Sequence, residues 1–159
     1  MFTQKSEVDS LADSFSEFVM SNERQLRQSL SAACGDQAGR EAAAEALEYG
    51  WENWDRVRTM ENPVGYLFKV GRGRGRRMLS RSHPVLDPVD PVRLPDVEPK
   101  LPEALARLSE RQRLIVILIH CDQWSQGEVA ELLGLSRSSV RNHLDRAMGS
   151  LRKTIGGVS

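Results

Sequence analysis

The chain has 159 residues, 22 basic and 22 acidic side chains and a formal net charge of zero. That length suits one domain or two small ones, and no apolar run approaches the ~18 residues that a membrane span needs. The polar, acidic start MFTQKSEVDSLADS is unlike a secretory signal, and Cys34 and Cys121 form no CxxC or Cys/His cluster. Both cysteines therefore read as reduced thiols of a cytoplasmic protein, with no disulfide and no metal site.

The zero sum hides a segregated charge pattern. Residues 1–61 hold 6 basic and 12 acidic side chains, residues 62–81 hold 6 basic and none acidic, and residues 100–159 hold 9 basic and 6 acidic. An acidic block is thus followed by a basic stripe and a mildly basic C-terminal part. A C-terminal part so weakly charged gains little from phosphate neutralisation, which supplies most non-specific DNA affinity.

In chain order, Val8, Leu11, Phe15, Phe18, Val19, Leu26 and Leu30 recur at three- and four-residue spacing, which predicts helix, with Ser21-Asn22 dividing it in two. Gly35-Asp36 is a stop and a cap. Residues 37–57, rich in Ala and Glu, predict a second helix through Val57. Asn62-Pro63 starts a third, over residues 63–80, with proline at the tolerated first position. Three alternating glycines in KVGRGRGRR are expected to weaken it, each by about 1 kcal/mol against alanine.

Six of the seven prolines fall between Pro84 and Pro102. Each lacks an N–H and restrains its predecessor, so this stretch reads as an extended linker. The expected division is residues 1–81, a linker over 82–100, and a second domain over 101–159. In the latter, residues 101–108 open a helix, Ser109 caps the apolar run ERQRLIVILIHC, and Cys121-Asp122-Gln123 turns. Ser125 caps residues 126–133, Gly134 is the left-handed stop, and Ser136 caps a last helix to about residue 155. No strand pattern occurs, so the fold class expected is all-α.

Residues 124–153, WSQGEVAELLGLSRSSVRNHLDRAMGSLRK, carry the most specific signal. Val140, Leu144, Ala147 and Leu151 make one apolar stripe. Ser138, Arg141, Asn142, Asp145 and Arg152 lie opposite, flanked by Arg137 and Arg146. Two short helices with a glycine turn form a helix-turn-helix, whose second helix enters the major groove. Arg can grip guanine and Asn adenine, while Ser136, Ser138 and the helix N-terminus suit phosphate. Two further clusters stand upstream. Lys69, Arg72, Arg74, Arg76 and Arg77 suit a nucleic-acid backbone, with Tyr66 and Phe68 as stacking rings, although a solvated basic loop is the plainer alternative. Glu41, Glu45 and Glu48, with Tyr49, Trp51 and Trp54, suggest an acidic, aromatic protein-binding helix, unless the tryptophans are simply core.

Taken together, the chain resembles a bacterial sigma factor of the extracytoplasmic-function group of the sigma-70 family. Glu128, Ala130, Gly134, Val140, Arg146, Ala147 and Leu151 stand where that family's fourth region has them. The resemblance implies that Ser136, Arg137, Ser138, Ser139, Arg141, Asn142 and Arg146 read the −35 promoter element. It implies that residues 1–81 are similar to the second region. There, Tyr66, Lys69, Arg72, Arg74, Arg76 and Arg77 would melt and read the −10 element. Glu41, Glu45, Glu48 and Trp51 would dock on core RNA polymerase, on the clamp helices of its β′ subunit, with the β subunit and promoter DNA as the other partners. An anti-sigma factor is a further partner such a family allows. Departures are Ala44, where the family has Gln, and Gly73, where it has Asn.

Catalysis is not expected. His83, His120 and His143 are dispersed, and GRGRGR lacks the strand and the Gly-Lys-Ser/Thr ending of a phosphate loop. No cofactor and no membrane association is expected. Two alternatives stay open, a stand-alone helix-turn-helix regulator and an inactive sigma-like protein that acts by protein interaction.

Overall fold

A computed structural model describes residues 2–81 and 99–156, and every described element is a helix or a turn. The chain divides into two compact units, Met1–Ser82 and His83–Ser159. The Pro-rich stretch read as a linker lies outside the described residues, apart from the turn at residues 99–100.

The first unit comprises α1 (Phe2–Cys34), α2 (Asp36–Glu52), the single turn α3 (Trp54–Val57) and α4 (Pro63–Arg81). The expected break at Ser21-Asn22 is absent, and α1 is continuous. The Asn22 side chain donates to the Phe18 carbonyl at 3.0 Å inside the helix, so it opens no competing turn. The apolar period then carries Leu26, Leu30 and Cys34 into the core. Val8, expected on the inner face, is 54% exposed.

The second helix is shorter than expected and stops at Asn53. Its backbone N–H and its side-chain amide both donate to the Tyr49 carbonyl, at 3.1 and 2.9 Å. The chain then restarts as α3 and turns Trp54 inward, where its ring meets Phe15 and Phe18 at centroid distances of 5.2 and 5.0 Å. Asn62 caps α4 as expected, its side-chain oxygen accepting from the Gly65 N–H at 3.0 Å.

The glycines of α4 do not interrupt it, because helical period gives them different tasks. Gly71 and Gly75 are buried and face α1 and α2. A Cβ at Gly71 would lie 2.7 Å from a Leu30 methyl and 3.1 Å from the Ala42 carbonyl oxygen, and one at Gly75 would lie 2.6 Å from the Cys34 sulfur. Close packing of three helices therefore offsets the poor propensity. Gly73 meets nothing within 4 Å.

The second unit comprises α5 (Leu101–Ala106), α6 (Glu110–Val116) running into a π-helical turn (Ile117–Cys121), α7 (Gln126–Leu133) and α8 (Arg137–Gly156). Ser109 with Gln112, and Ser125 with Glu128, each form a reciprocal capping box, satisfying two otherwise orphaned backbone donors at each start. Gly134 adopts the left-handed conformation (φ 66°) that ends α7. Helices α5, α6 and α7 all pack on α8. The stripe Val140, Leu144, Ala147 and Leu151 is buried with Leu114, Ile115, Leu118, Trp124 and Val129.

Candidate nucleic-acid interface

The outward face of α8 presents Ser138, Arg141, Asn142, Asp145, Arg146 and Arg152, all exposed. Burying four residues on one side of the helix forces these onto the other. Ser136 is the N-cap, its hydroxyl accepting from the Ser139 N–H at 3.1 Å. The same hydroxyl lies 3.1 Å from that of Ser138 and donates to that of Ser139 at 2.9 Å. Three hydroxyls thus converge at the positive end of a 20-residue helix. Arg137 differs from its neighbours. Its guanidinium lies over the first turn of α7, its atoms 3.1–3.3 Å from where a Cβ on Gly127 would sit.

Residues 99–151 match the family described as Sigma-70, region 4. These residues form a sigma-70 region 4 domain. A segment of 55 residues is 38% identical to the RNA polymerase sigma-E factor of Streptomyces antibioticus, covering 35% of this chain and 31% of that protein. The match therefore spans about a third of the length of this curated relative. Solved structures resemble most of the chain. The sigma factor RpoE of Bartonella quintana, solved in complex with the anti-sigma factor NepR, gives a TM-score of 0.71 at 19% identity, over 91% of this chain and 98% of its own. CnrH, solved in complex with the cytosolic domain of CnrY, gives 0.62 at 18%, over 93% and 91%. At these identities the likeness concerns fold. It extends the comparison beyond the region 4 domain to the helices of the first unit.

In that first unit, α2 and α4 run antiparallel, as Gly50 beside Leu67 and Ala42 beside Gly71 require. Helical period divides the basic stripe of α4. Lys69, Arg76 and Arg77 are exposed and surround the bare backbone of Gly73 on the outer face. Arg72 sits toward α1, where it and Arg76 draw the Cys34 thiol down against the larger upward push of burial. Arg74 turns toward α2, its guanidinium 3.3 Å from the Glu45 carboxylate and 5.7 Å from the Tyr49 ring centroid. Phe68 is fully buried, so it is a core residue and not a stacking ring. Its place beside Leu67 on the inner face decides this, and the basic context that suggested exposure does not. Tyr66 is half-buried, its hydroxyl 3.0 Å from that of Tyr49.

Helix α2 sorts its acidic residues by the same period. Glu41 and Glu48 are exposed, with the Gln37 amide 3.5 Å from Glu41. Glu45 stands on the edge facing α4, 37% exposed and paired with Arg74. Trp51 is 46% exposed, whereas Trp54 is 6% exposed. Trp51 is anchored on one side by Phe15, 5.3 Å between centroids, and keeps the other side open. The acidic and basic groups therefore meet along one edge. Arg56, on α3, joins that edge, donating to the Tyr49 hydroxyl at 2.6 Å. No sequence pattern pointed to Arg56, because its position depends on the kink at Asn53. Among the described residues no group of three or more His, Cys, Asp or Glu could hold a metal, and no helix is long and apolar enough to cross a membrane.

Proposed function

We propose that this protein is a sigma factor of the extracytoplasmic-function group, a cytoplasmic, non-catalytic subunit that directs core RNA polymerase to promoters. The observation that carries the proposal is the outward face of α8 within a sigma-70 region 4 domain. In this reading Arg141, Asn142 and Arg146 contact base edges of the −35 element. Ser136, Ser138, Ser139 and Arg137 hold phosphates and set the helix in its groove. Tyr66, Lys69, Arg72, Arg74, Arg76 and Arg77 of the first unit engage the −10 segment. Glu41, Glu45, Glu48 and Trp51 dock on the polymerase. Extruding a base costs a few kcal/mol, which a basic groove and aromatic contacts offset.

Two observations support a polymerase-dependent mode over a stand-alone regulator. The likeness to RpoE and CnrH, over 91% and 93% of the chain, includes helices of the first unit, which a simple helix-turn-helix regulator does not need. The region 4 surface is also only modestly basic, with 9 basic and 6 acidic side chains over residues 100–159. It therefore needs a larger assembly to reach useful affinity at physiological salt. RpoE was solved in complex with the anti-sigma factor NepR, so an anti-sigma partner belongs to the same proposal.

The test is to mix the purified protein with core RNA polymerase and measure a stable complex and promoter-dependent transcription. Complex formation and specific initiation are expected. Failure to bind core, together with retained binding to duplex DNA, would overturn the proposal in favour of a stand-alone regulator.

A further inference from the structure

Arg56 lies outside both groups of expected site residues, and it is the residue that ties them together. Its Nη2 donates to the Tyr49 hydroxyl at 2.6 Å and lies 3.4 Å from that of Tyr66. Its guanidinium carbon stands 5.7 Å from the Tyr66 ring centroid. The two phenols also bond each other at 3.0 Å, with their rings tilted 46°. One cation therefore holds the tips of two rings that come from different helices, α2 and α4. Tyr49 passes the constraint on, since Arg74 stands over its other flank.

We propose that Arg56 is a positioning residue for Tyr66, fixing the phenol in the attitude in which α4 meets an unpaired DNA strand. The inference rests on the promoter-binding role proposed above for Tyr66. Tyr66 is only half-buried, so packing alone leaves its ring and hydroxyl freedom. A ring that must receive a base gains from being held beforehand, because ordering it during binding costs affinity. A charged donor makes the stronger class of hydrogen bond. The planar guanidinium can bond a hydroxyl with its edge and cover a ring with its face. A lysine ammonium is a point charge and cannot reproduce both contacts. The Tyr49 phenol is accordingly drawn below its ordinary value, first by its bond to Tyr66 and then by the charges of Arg56 and Arg74 against opposing desolvation.

Tyr49 and Tyr66 are the only tyrosines of the chain, so fluorotyrosine labelling of the full-length protein gives two resonances that report the network directly. In the free protein, Arg56→Ala is expected to move both resonances and raise the titration midpoint of Tyr49, with the melting curve little changed. In holoenzyme assembled on the promoter found by the transcription test, 2-aminopurine placed in the melted segment reads opening. Arg56→Ala should slow opening three- to tenfold at saturating holoenzyme without changing assembly on core. Arg56→Lys should recover part of the rate. In a Tyr66→Phe background Arg56→Ala should add little.

The inference is overturned if the fluorine resonances do not move, or if opening is normal in Arg56→Ala while Tyr66→Ala impairs it. If Tyr66→Ala itself leaves opening unchanged, Tyr66 is no DNA contact and the inference fails with that role. Failure of the wild-type protein to bind core would overturn the sigma reading by a separate measurement.

Discussion

The three alternating glycines of α4, Gly71, Gly73 and Gly75, make opposite predictions from one sequence pattern. Replacing Gly73 by alanine adds a methyl group that meets nothing within 4 Å, and removes the entropic cost of glycine in a helix. The gain should be about 0.5–1 kcal/mol of stability. Replacing Gly71 gives the same propensity gain but drives a methyl to 2.7 Å from Leu30 and 3.1 Å from a backbone carbonyl oxygen. Leu30 is fully buried and the carbonyl belongs to α2, so neither yields without shifting a helix. Overpacking of this kind costs about 1–3 kcal/mol. Gly71→Ala should therefore be destabilising by up to about 2 kcal/mol after the propensity gain is deducted. Gly75→Ala, with the Cys34 sulfur at 2.6 Å, should behave likewise. Urea unfolding of the full-length chain, followed through Trp51 and Trp54 with Trp124 replaced by Phe, measures the difference. A stabilising Gly71→Ala, or a Gly73→Ala as damaging as Gly71→Ala, would refute the argument that packing chose the inner glycines.

Other outcomes follow from the surfaces. Arg141→Ala should relax promoter preference, with a base-pair change opposite it losing about 1–3 kcal/mol of discrimination; selection from a randomised −35 library checks this, and an unchanged consensus would exclude a base contact. Glu41→Lys with Glu45→Lys should weaken core binding at least tenfold while the region 4 domain keeps its melting behaviour, as read by pull-down and circular dichroism. Native alkylation should modify the exposed Cys121 first. Burial raises the Cys34 thiol above its ordinary value against the opposing pull of Arg72 and Arg76. Lowering the pH therefore further reduces its small thiolate fraction. Mass spectrometry should find Cys34 labelled only once the first unit opens.

Local chemistry was legible in the sequence, and contact-dependent placement was not. Ser109, Ser125, Gly134 and Ser136 act within a few residues of themselves, so their caps and turns are visible from spacing. The stripe Val140–Leu144–Ala147–Leu151 needs only helical period. Asn22 and Asn53 show the limit. One asparagine is absorbed into a helix and the other ends one, and their difference lies in what the neighbouring elements bury. The basic stripe was legible as composition, but its sorting by face was not. Arg72 goes toward Cys34, Arg74 toward Glu45, and Phe68 into the core. Arg56 could not be assigned at all, since only the kink at Asn53 delivers it to the tyrosines.

The Glu45–Arg74 pair, 3.3 Å apart and half open to solvent, sets a rule of exchange on this surface. A carboxylate engaged by a cation of a docking partner has correspondingly less hold on the arginine beside it. Whatever occupies α2 at Glu45 therefore loosens Arg74 on α4 and makes it more available to a phosphate. By reciprocity a phosphate on Arg74 leaves Glu45 more available to the partner. Exposed pairs of this kind are worth about 1 kcal/mol or less, so the exchange biases the two events by a fewfold factor and does not gate them. Protein and DNA would then recruit each other through a single shared ion pair, without any movement of the helices that carry it.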